Sequence, residues 1–272
     1  MVDSDATLER RGRESTTAFD ALALKPTEHD LSALAARPAD ALAVDALVVD
    51  YEGRAALPDD ATMVALAERY GLRVTTPVRA DGFDPLGDDG LWDRVPAAAR
   101  RVLVAGHGAY LDDAESARAV APRLGAAVER TTDPWVGTES VERTALATGA
   151  AQFELLGRDT ARAVRALRAA GFDGDVALYA PTVLSDDEDE ILNAVGDYVA
   201  RRGPVRAALP DGAATDAAAS GRAREVLSAA ARDFALVGDA ATVGERIEDL
   251  RSAGVTAVVG YPAGGLDHFE SR

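Results

Sequence analysis

The chain has 272 residues, 47% of them apolar, with 46 acidic against 29 basic side chains and a formal net charge of −17. Length and apolar share suit one large core of the α/β-barrel size. The lack of cysteine excludes disulfides and thiolate chemistry, and the negative charge opposes nucleic-acid phosphates and anionic lipid. No apolar run approaches the roughly 18 residues of a spanning helix, and no hydrophobic signal core opens the chain, so a cytoplasmic protein is expected. Lys25 is the sole lysine, Asn193 the sole asparagine and Gln152 the sole glutamine. With the acidic excess, this usage predicts a GC-rich, halophilic archaeal source whose carboxylates are mostly solvated surface.

In chain order, residues 1–17 are predicted to be a disordered tail and residues 18–272 a single domain. Short β-rich runs then alternate with helical stretches. The predicted strands cover residues 19–24, 46–50, 72–76, 101–105, 126–130, 152–156, 175–179 and 256–260. Between them, helices open at acidic or hydroxyl residues (Asp59-Asp60, Asp112-Asp113, Asp159, Thr242) and close at Gly71, Gly125, Gly171 and Gly254. Residues 77–100 read as a Gly/Pro/Asp-rich loop with a short helix near Trp92. Residues 203–240 read as a loop, a helix over 221–232 and a brief apolar run at 235–238. The count predicts an α/β fold, a (β/α)8 TIM-type barrel. A doubly wound open sheet is the alternative, because residues 126–130 (AAVER) make a weak fifth strand.

A barrel carries its chemistry on the loops after its strands, which selects a short list of residues. Lys25, followed by Thr27, Glu28 and His29, offers a compact ammonium for a Schiff base or an anion clamp. Asp50 and Glu52 flank Tyr51 and suit a metal or an acid–base pair, against a plainer role as polar rim. Thr75 and Thr76 end the third strand and Arg79 follows it, and His107 in GHG follows the fourth. His29, His107 and His268 form no HExxH pair, so no local zinc motif exists. Arg130 ends the fifth predicted strand, Glu154 lies within the sixth, and Tyr179 ends the seventh. Trp135, in the loop DPWVGTE, could stack on a flat ligand or plug the barrel. The GYPAGG loop, with Gly260, Gly264 and Gly265, offers bare backbone N–H groups to a phosphate. No GxSxG elbow, Walker loop or GxGxxG turn is present.

Two segments carry a family resemblance. Residues 175–202 pair a strand ending in Tyr-x-Pro with an acidic stretch and a helix running to a tyrosine. Residues 235–260 read Val-x-Gly, a capped helix, Gly-Val and a closing strand. Both resemble the luciferase-like monooxygenase superfamily of flavin- and deazaflavin-dependent barrel enzymes. The resemblance implies a (β/α)8 barrel acting as an oxidoreductase or monooxygenase, with FMN or deazaflavin (coenzyme F-420) at the C-terminal strand ends. The family's Trp-x-x-(Asp/Glu)-His signature is replaced here by VVDYEG.

No cofactor residue carries over by motif, so barrel geometry assigns the candidates. Lys25, Arg79 or Arg130 would hold the anionic tail, with Asp50, Tyr179 and the Gly260, Gly264 and Gly265 loop beside it. His107 and Glu154 would be proton donors. Two alternatives stay open: a cofactor-free lyase or aldolase-type enzyme with Lys25 forming an imine or stabilising an enolate, and a non-catalytic barrel without cofactor. The expected partners are a small-molecule ligand and a second copy of the chain, with neither nucleic acid nor membrane.

Overall fold

Runs such as ALVV and VALYAPTV lack polar alternation because both faces are covered, one set of side chains filling a lumen and the other meeting helices. The computed structural model describes residues 19–38, 40–53, 55–78, 95–105 and 113–270. Its strands are β1 (Ala21–Leu24), β2 (Ala46–Val49), β3 (Gly71–Val78), β4 (Arg100–Ala105), β5 (Trp135–Gly137), β6 (Ala151–Leu155), β7 (Val176–Val183), β8 (Leu236–Val237) and β9 (Ala257–Pro262). β1 to β7 pair in sequence, all parallel, and β7 pairs with β9, which pairs with β1. Eight strands therefore close a TIM-type barrel. β8 lies outside the ring and pairs only with Thr182 and Val183 at the end of β7.

Alternation sorts the side chains. One set comprises Ala21, Ala23, Val48, Val102, Trp135, Phe153, Ala177, Tyr179 and Val259, which pack together as the lumen. The other set, including Leu22, Leu24, Leu47, Val49, Leu72 and Val74, packs outward in the main helix-covered core. The helices between the strands are α1 (Leu31–Ala36), α2 (Asp60–Ala67), α3 (Asp113–Ser116), α4 (Val120–Glu129), α5 (Glu142–Ala147) and α6 (Thr160–Ala169). α7 (Glu188–Ala200), α8 (Gly203–Ala208) and α9 (Gly221–Phe234) form an excursion between β7 and β8, and α10 (Ala240–Ala253) leads to β9. No helix among the described residues is long and apolar enough to cross a membrane.

The predicted helix ends hold only in part: Asp159 precedes α6 without a side-chain cap bond, Gly71 opens β3 instead of closing α2, which ends at Ala67, and Asp112 lies outside the described residues. Asp59 accepts from the Thr62 amide at 2.7 Å, and α10 is capped by Asp239 rather than Thr242, accepting from the Thr242 amide at 2.7 Å. Gly254 closes α10 at φ 114°, a left-handed conformation that glycine adopts without strain.

The fifth strand is the main correction. Residues 126–130 belong to α4 and its cap, because Leu124 and Ala127 recur at helical spacing and bury against Leu103 and Val136. Gly125, expected to end that helix, continues it with open space around its Cα. The true β5 is Trp135-Val136-Gly137, inside the stretch read as a loop, and all three residues are buried. Its Gly137 passes close to Val104, where a Cβ would sit 3.2 Å from Cγ2. The tail at residues 1–17 and the helix near Trp92 lie outside the described residues.

The excursion has its own apolar seam. Leu192 and Val199 of α7 meet Ala223, Leu227 and Ala230 of α9. At Gly196 a Cβ would fall 1.9 Å from the Thr215 carbonyl oxygen, so the chain passes too close for any side chain. Gly196→Ala should cost about 1–3 kcal/mol in urea unfolding at high salt. Gly244→Ala in α10, with open space at that position, should be neutral or stabilising by up to about 1 kcal/mol. Equal effects of the two substitutions would contradict this packing.

Candidate functional site at the C-terminal mouth of the barrel

The same alternation that turns Ala21 and Ala23 inward brings Lys25 to the lumen end of β1. In the next strands it brings Asp50 and Thr75, and across the barrel Tyr179 and Tyr261. The Asp50 amide donates to the Leu24 carbonyl at 2.9 Å, which fixes Asp50 beside Lys25. Lys25 Nζ donates to Glu28 Oε1 at 2.8 Å and to the Tyr261 hydroxyl at 3.0 Å, and lies 4.3 Å from the Tyr261 ring centroid. The Tyr261 hydroxyl in turn donates to Glu28 Oε2. Burial acts against the Lys25 charge, yet the bonds to Glu28 and Tyr261 outweigh it and hold the pKa above the usual lysine value.

Asp50 is treated differently by its surroundings. Its Oδ1 accepts from Thr75 Oγ1 and its Oδ2 from the Tyr179 hydroxyl, each at 3.2 Å. Burial pushes its pKa up to about 6, against the pull of those two donors and of Lys25. The Tyr179 hydroxyl is raised well above its ordinary value, by burial first and then by the Asp50 charge. Around the rim, Glu52 Oε2 accepts from Thr27 N at 3.0 Å and Thr27 Oγ1 at 2.6 Å, tying the loops after β1 and β2 together.

Below the mouth the lumen is filled by rings. Tyr261 stacks on Tyr179 (centroids 6.2 Å), Tyr179 meets Phe153 edge-on (5.9 Å), and Phe153 stacks on Trp135 (5.7 Å). Arg73 lies over Trp135 at 3.9 Å and donates to Asp133 O at 3.0 Å and Asp133 Oδ2 at 3.3 Å; Arg100 pairs with the same carboxylate. Burial lowers the Arg73 pKa to about 10, so it stays a cation. Trp135 therefore plugs the lumen.

Other expected residues fall elsewhere. Glu154 alternates with the lumenal Phe153 and Leu155 and so faces outward; burial raises its pKa away from the mouth. Arg130 caps α4 ahead of β5, at the barrel end opposite the mouth. Gly260 faces Phe19, which a Cβ would meet at 2.8 Å, so it serves packing. Arg79 and His107 lie outside the described residues. Tyr261 lies in the GYPAGG segment, whose glycines point to the backbone, but its odd-numbered parity with Val259 marks it as lumenal. Arg202 and Tyr198 of the excursion were not singled out. Arg202 pairs with Glu139 at 3.3 Å and stacks on Tyr198 at 4.4 Å, placing the excursion over the end of β5.

Gly264 borders a cleft of about 440 Å³ with Ser185, Glu190, Asn193 and His268. Gly265 follows at φ 99°. The α7 N-terminus beside this cleft is capped by Asp187 and begins Glu188-Asp189-Glu190. Those carboxylates repel an anion, so this loop does not fit the phosphate of a flavin or deazaflavin cofactor. Among the described residues no group of three or more His, Asp or Glu side chains is placed to hold a metal ion.

Fold and mouth together define a TIM-type barrel with a lysine ammonium and a carboxyl group of near-neutral pKa at its C-terminal end. The chain belongs to a family of unknown function (DUF7388), whose model matches residues 14–269. No curated protein matches it.

The folded pKa of Asp50, about 6, lies above its ordinary 3.8. The fold thus binds this proton more tightly than the unfolded chain, and the Asp50 contribution to stability falls as pH rises through that window. Asp50→Asn should therefore equal or exceed the wild type at pH 8 by roughly 1–2 kcal/mol, the difference shrinking below about pH 4. Urea midpoints measured across pH test this; a variant weaker than wild type at pH 8 would refute it.

Proposed function

We propose that the mouth carries out proton transfer next to a carbonyl group, as a lyase or aldolase-type enzyme does without a cofactor. The observation that carries this reading is the pairing of a secured ammonium, Lys25, with a carboxyl group whose pKa is about 6, Asp50. A base acts best when its pKa lies near the working pH, and Asp50 meets that condition. Asp50 takes a proton from the carbon beside the carbonyl, and the electron pair moves to the carbonyl oxygen. Lys25 faces that oxygen with the N–H left after its bonds to Glu28 and Tyr261, stabilising the enolate. Return of the proton from Asp50 to carbon completes exchange. In the cleavage version the enolate pair forms a new C=C bond as a β-hydroxyl leaves with its bonding electrons and takes the proton from Asp50, departing as water and restoring the carboxylate.

The raised Lys25 pKa argues against the imine-forming version of this chemistry, which needs a neutral amine. Thr75 and Tyr179 fix both carboxylate oxygens of Asp50, so its orientation is set before substrate arrives.

The test needs no knowledge of the final product. Dihydroxyacetone, longer ketoses and pyruvate, incubated with the protein in D2O at high salt, should gain deuterium at the carbon next to the carbonyl, read by proton NMR. Lys25→Met and Asp50→Asn should each lower the rate about 100-fold or more. The rate should fall as pH drops through about 6, because the base must be ionised. Exchange no faster than in buffer for every compound would sink the reading.

A second reading, a flavin- or deazaflavin-dependent oxidoreductase, is favoured by one feature. β8, Gly238, α10, Gly254 and β9 follow one another as the luciferase-like pattern of residues 235–260 implies. It requires the cofactor to be held away from the acidic Gly264 cleft. Spectral titration with FMN and with the deazaflavin should then give saturable binding, and no change in either band would exclude it.

A further inference from the structure

Lys25, Glu28 and Tyr261 close a ring of three hydrogen bonds. Lys25 Nζ donates to Glu28 Oε1 at 2.8 Å and to the Tyr261 hydroxyl at 3.0 Å, and that hydroxyl donates to Glu28 Oε2. A lysine–glutamate pair three residues apart, with side chains 30% and 42% exposed, is by itself a surface ion pair of small effect. Two features set this one apart. Tyr261 comes from β9, the strand next to β1, so the ring ties two adjacent strand ends together and engages both Glu28 oxygens. The loop beneath is fixed as well. The Glu28 and His29 amides both donate to the Lys25 carbonyl at 3.0 Å, which turns Glu28 back toward Lys25, and Thr27 is clamped to Glu52.

The ring takes two of the three ammonium N–H groups and leaves one for a ligand. The titratable groups around it, among the described residues, are Glu28 and His29 after β1, Asp50 and Glu52 after β2, and Tyr261 of β9, with Tyr179 of β7 behind Asp50. Asp50 has its two oxygens bonded by Thr75 and Tyr179, and Glu52 is bonded by Thr27. Burial lowers the His29 pKa, so that ring adds no charge at neutral pH. Among the described residues Glu28 is thus the one anion that bonds the lysine nitrogen.

We infer that Glu28, braced by the Tyr261 hydroxyl, is the positioning residue that commits Lys25 to stabilising an enolate and closes off imine formation. The enolate half of this rests on the proton-transfer reading; the hold on the lysine charge is a property of the resting protein. An imine forms when the lone pair of a neutral amine attacks a carbonyl carbon and the oxygen leaves as water. An ammonium has no lone pair to give. Without the Glu28 charge, burial would act against the lysine cation with only Tyr261 and the more distant carboxylates opposing it, and neutral amine would accumulate at lower pH.

Lys25 is the only lysine in the chain, so lysine isotope-labelled at Cε gives a single side-chain resonance that reports its charge. In the wild type this resonance should still be mostly that of the ammonium at pH 10.5, the ordinary lysine midpoint. In Glu28→Gln, a change of charge with little change of shape, the midpoint should fall by about one pH unit or more. Glu28→Asp, which keeps the charge, should restore most of the wild-type midpoint, and Tyr261→Phe, which keeps the ring beside Lys25, should lie between. At pH 8, pyruvate with cyanoborohydride should mark the Lys25 peptide about tenfold faster in Glu28→Gln than in the wild type, because each pH unit in the midpoint is tenfold in neutral amine. A Lys25 midpoint unmoved by Glu28→Gln, or a wild type marked as fast as that variant, would overturn the inference whatever the deuterium assay gives. A lowered midpoint with no deuterium exchange into any compound would sink the proton-transfer reading and the enolate role with it, leaving the control of the lysine charge standing.

Discussion

A closed eight-stranded barrel must fill its own lumen with every second side chain of every strand, and this requirement governs the molecule. Here Ala21, Ala23, Ala46, Ala151, Ala177 and Ala257 leave space that Trp135, Phe153, Tyr179 and Tyr261 take up. The rings lean on one another from one end of the lumen to the other, and a cation covers each terminal ring, Arg73 over Trp135 and Lys25 over Tyr261. Removing the small residues would leave no room for the rings, and removing the rings would leave a hole. The polar mouth is the last layer of this packing, so its geometry is inherited from the core beneath it.

Asp50 shows what that inheritance does to chemistry. A carboxylate seated on top of an aromatic column loses much of its hydration, and two hydroxyl donors with a nearby ammonium only partly compensate. The group is therefore kept ionised with difficulty near neutrality. Lys25 is only partly buried, and a carboxylate and a phenol bond it directly, so its charge is secured. Two neighbouring groups are thus driven in opposite senses, one toward proton exchange and the other toward permanent charge.

Much of this was legible in the sequence wherever a residue sat next to an unmistakable strand. ALVVD and ALALK placed Asp50 and Lys25 at strand ends because Val- and Leu-rich runs of that length have few other uses in an alternating α/β chain. The fifth strand was not legible. Three residues are too short to show any period, and the neighbouring AAVER satisfies helical spacing equally well through Leu124 and Ala127. Glu154 was assigned to the site because a strand buried on both faces hides which face is which. Only the partners of Phe153 and Leu155 across the lumen decide it. Tyr261 is obscured for a related reason: a glycine-rich segment such as GYPAGG has no period that marks which side chain faces the lumen.

The way β8 joins the sheet has a further consequence. The ring closes through β7 and β9 without it, and two residue pairs with Thr182 and Val183 are its whole share of the ladder. The three-helix segment in front of it also carries its own apolar seam. Architecture of this kind separates scaffold from ornament: relatives can lengthen, shorten or rebuild the overhanging helices while the cylinder below remains shut, so diversification of what the opening admits need not be limited by the folding of the wall.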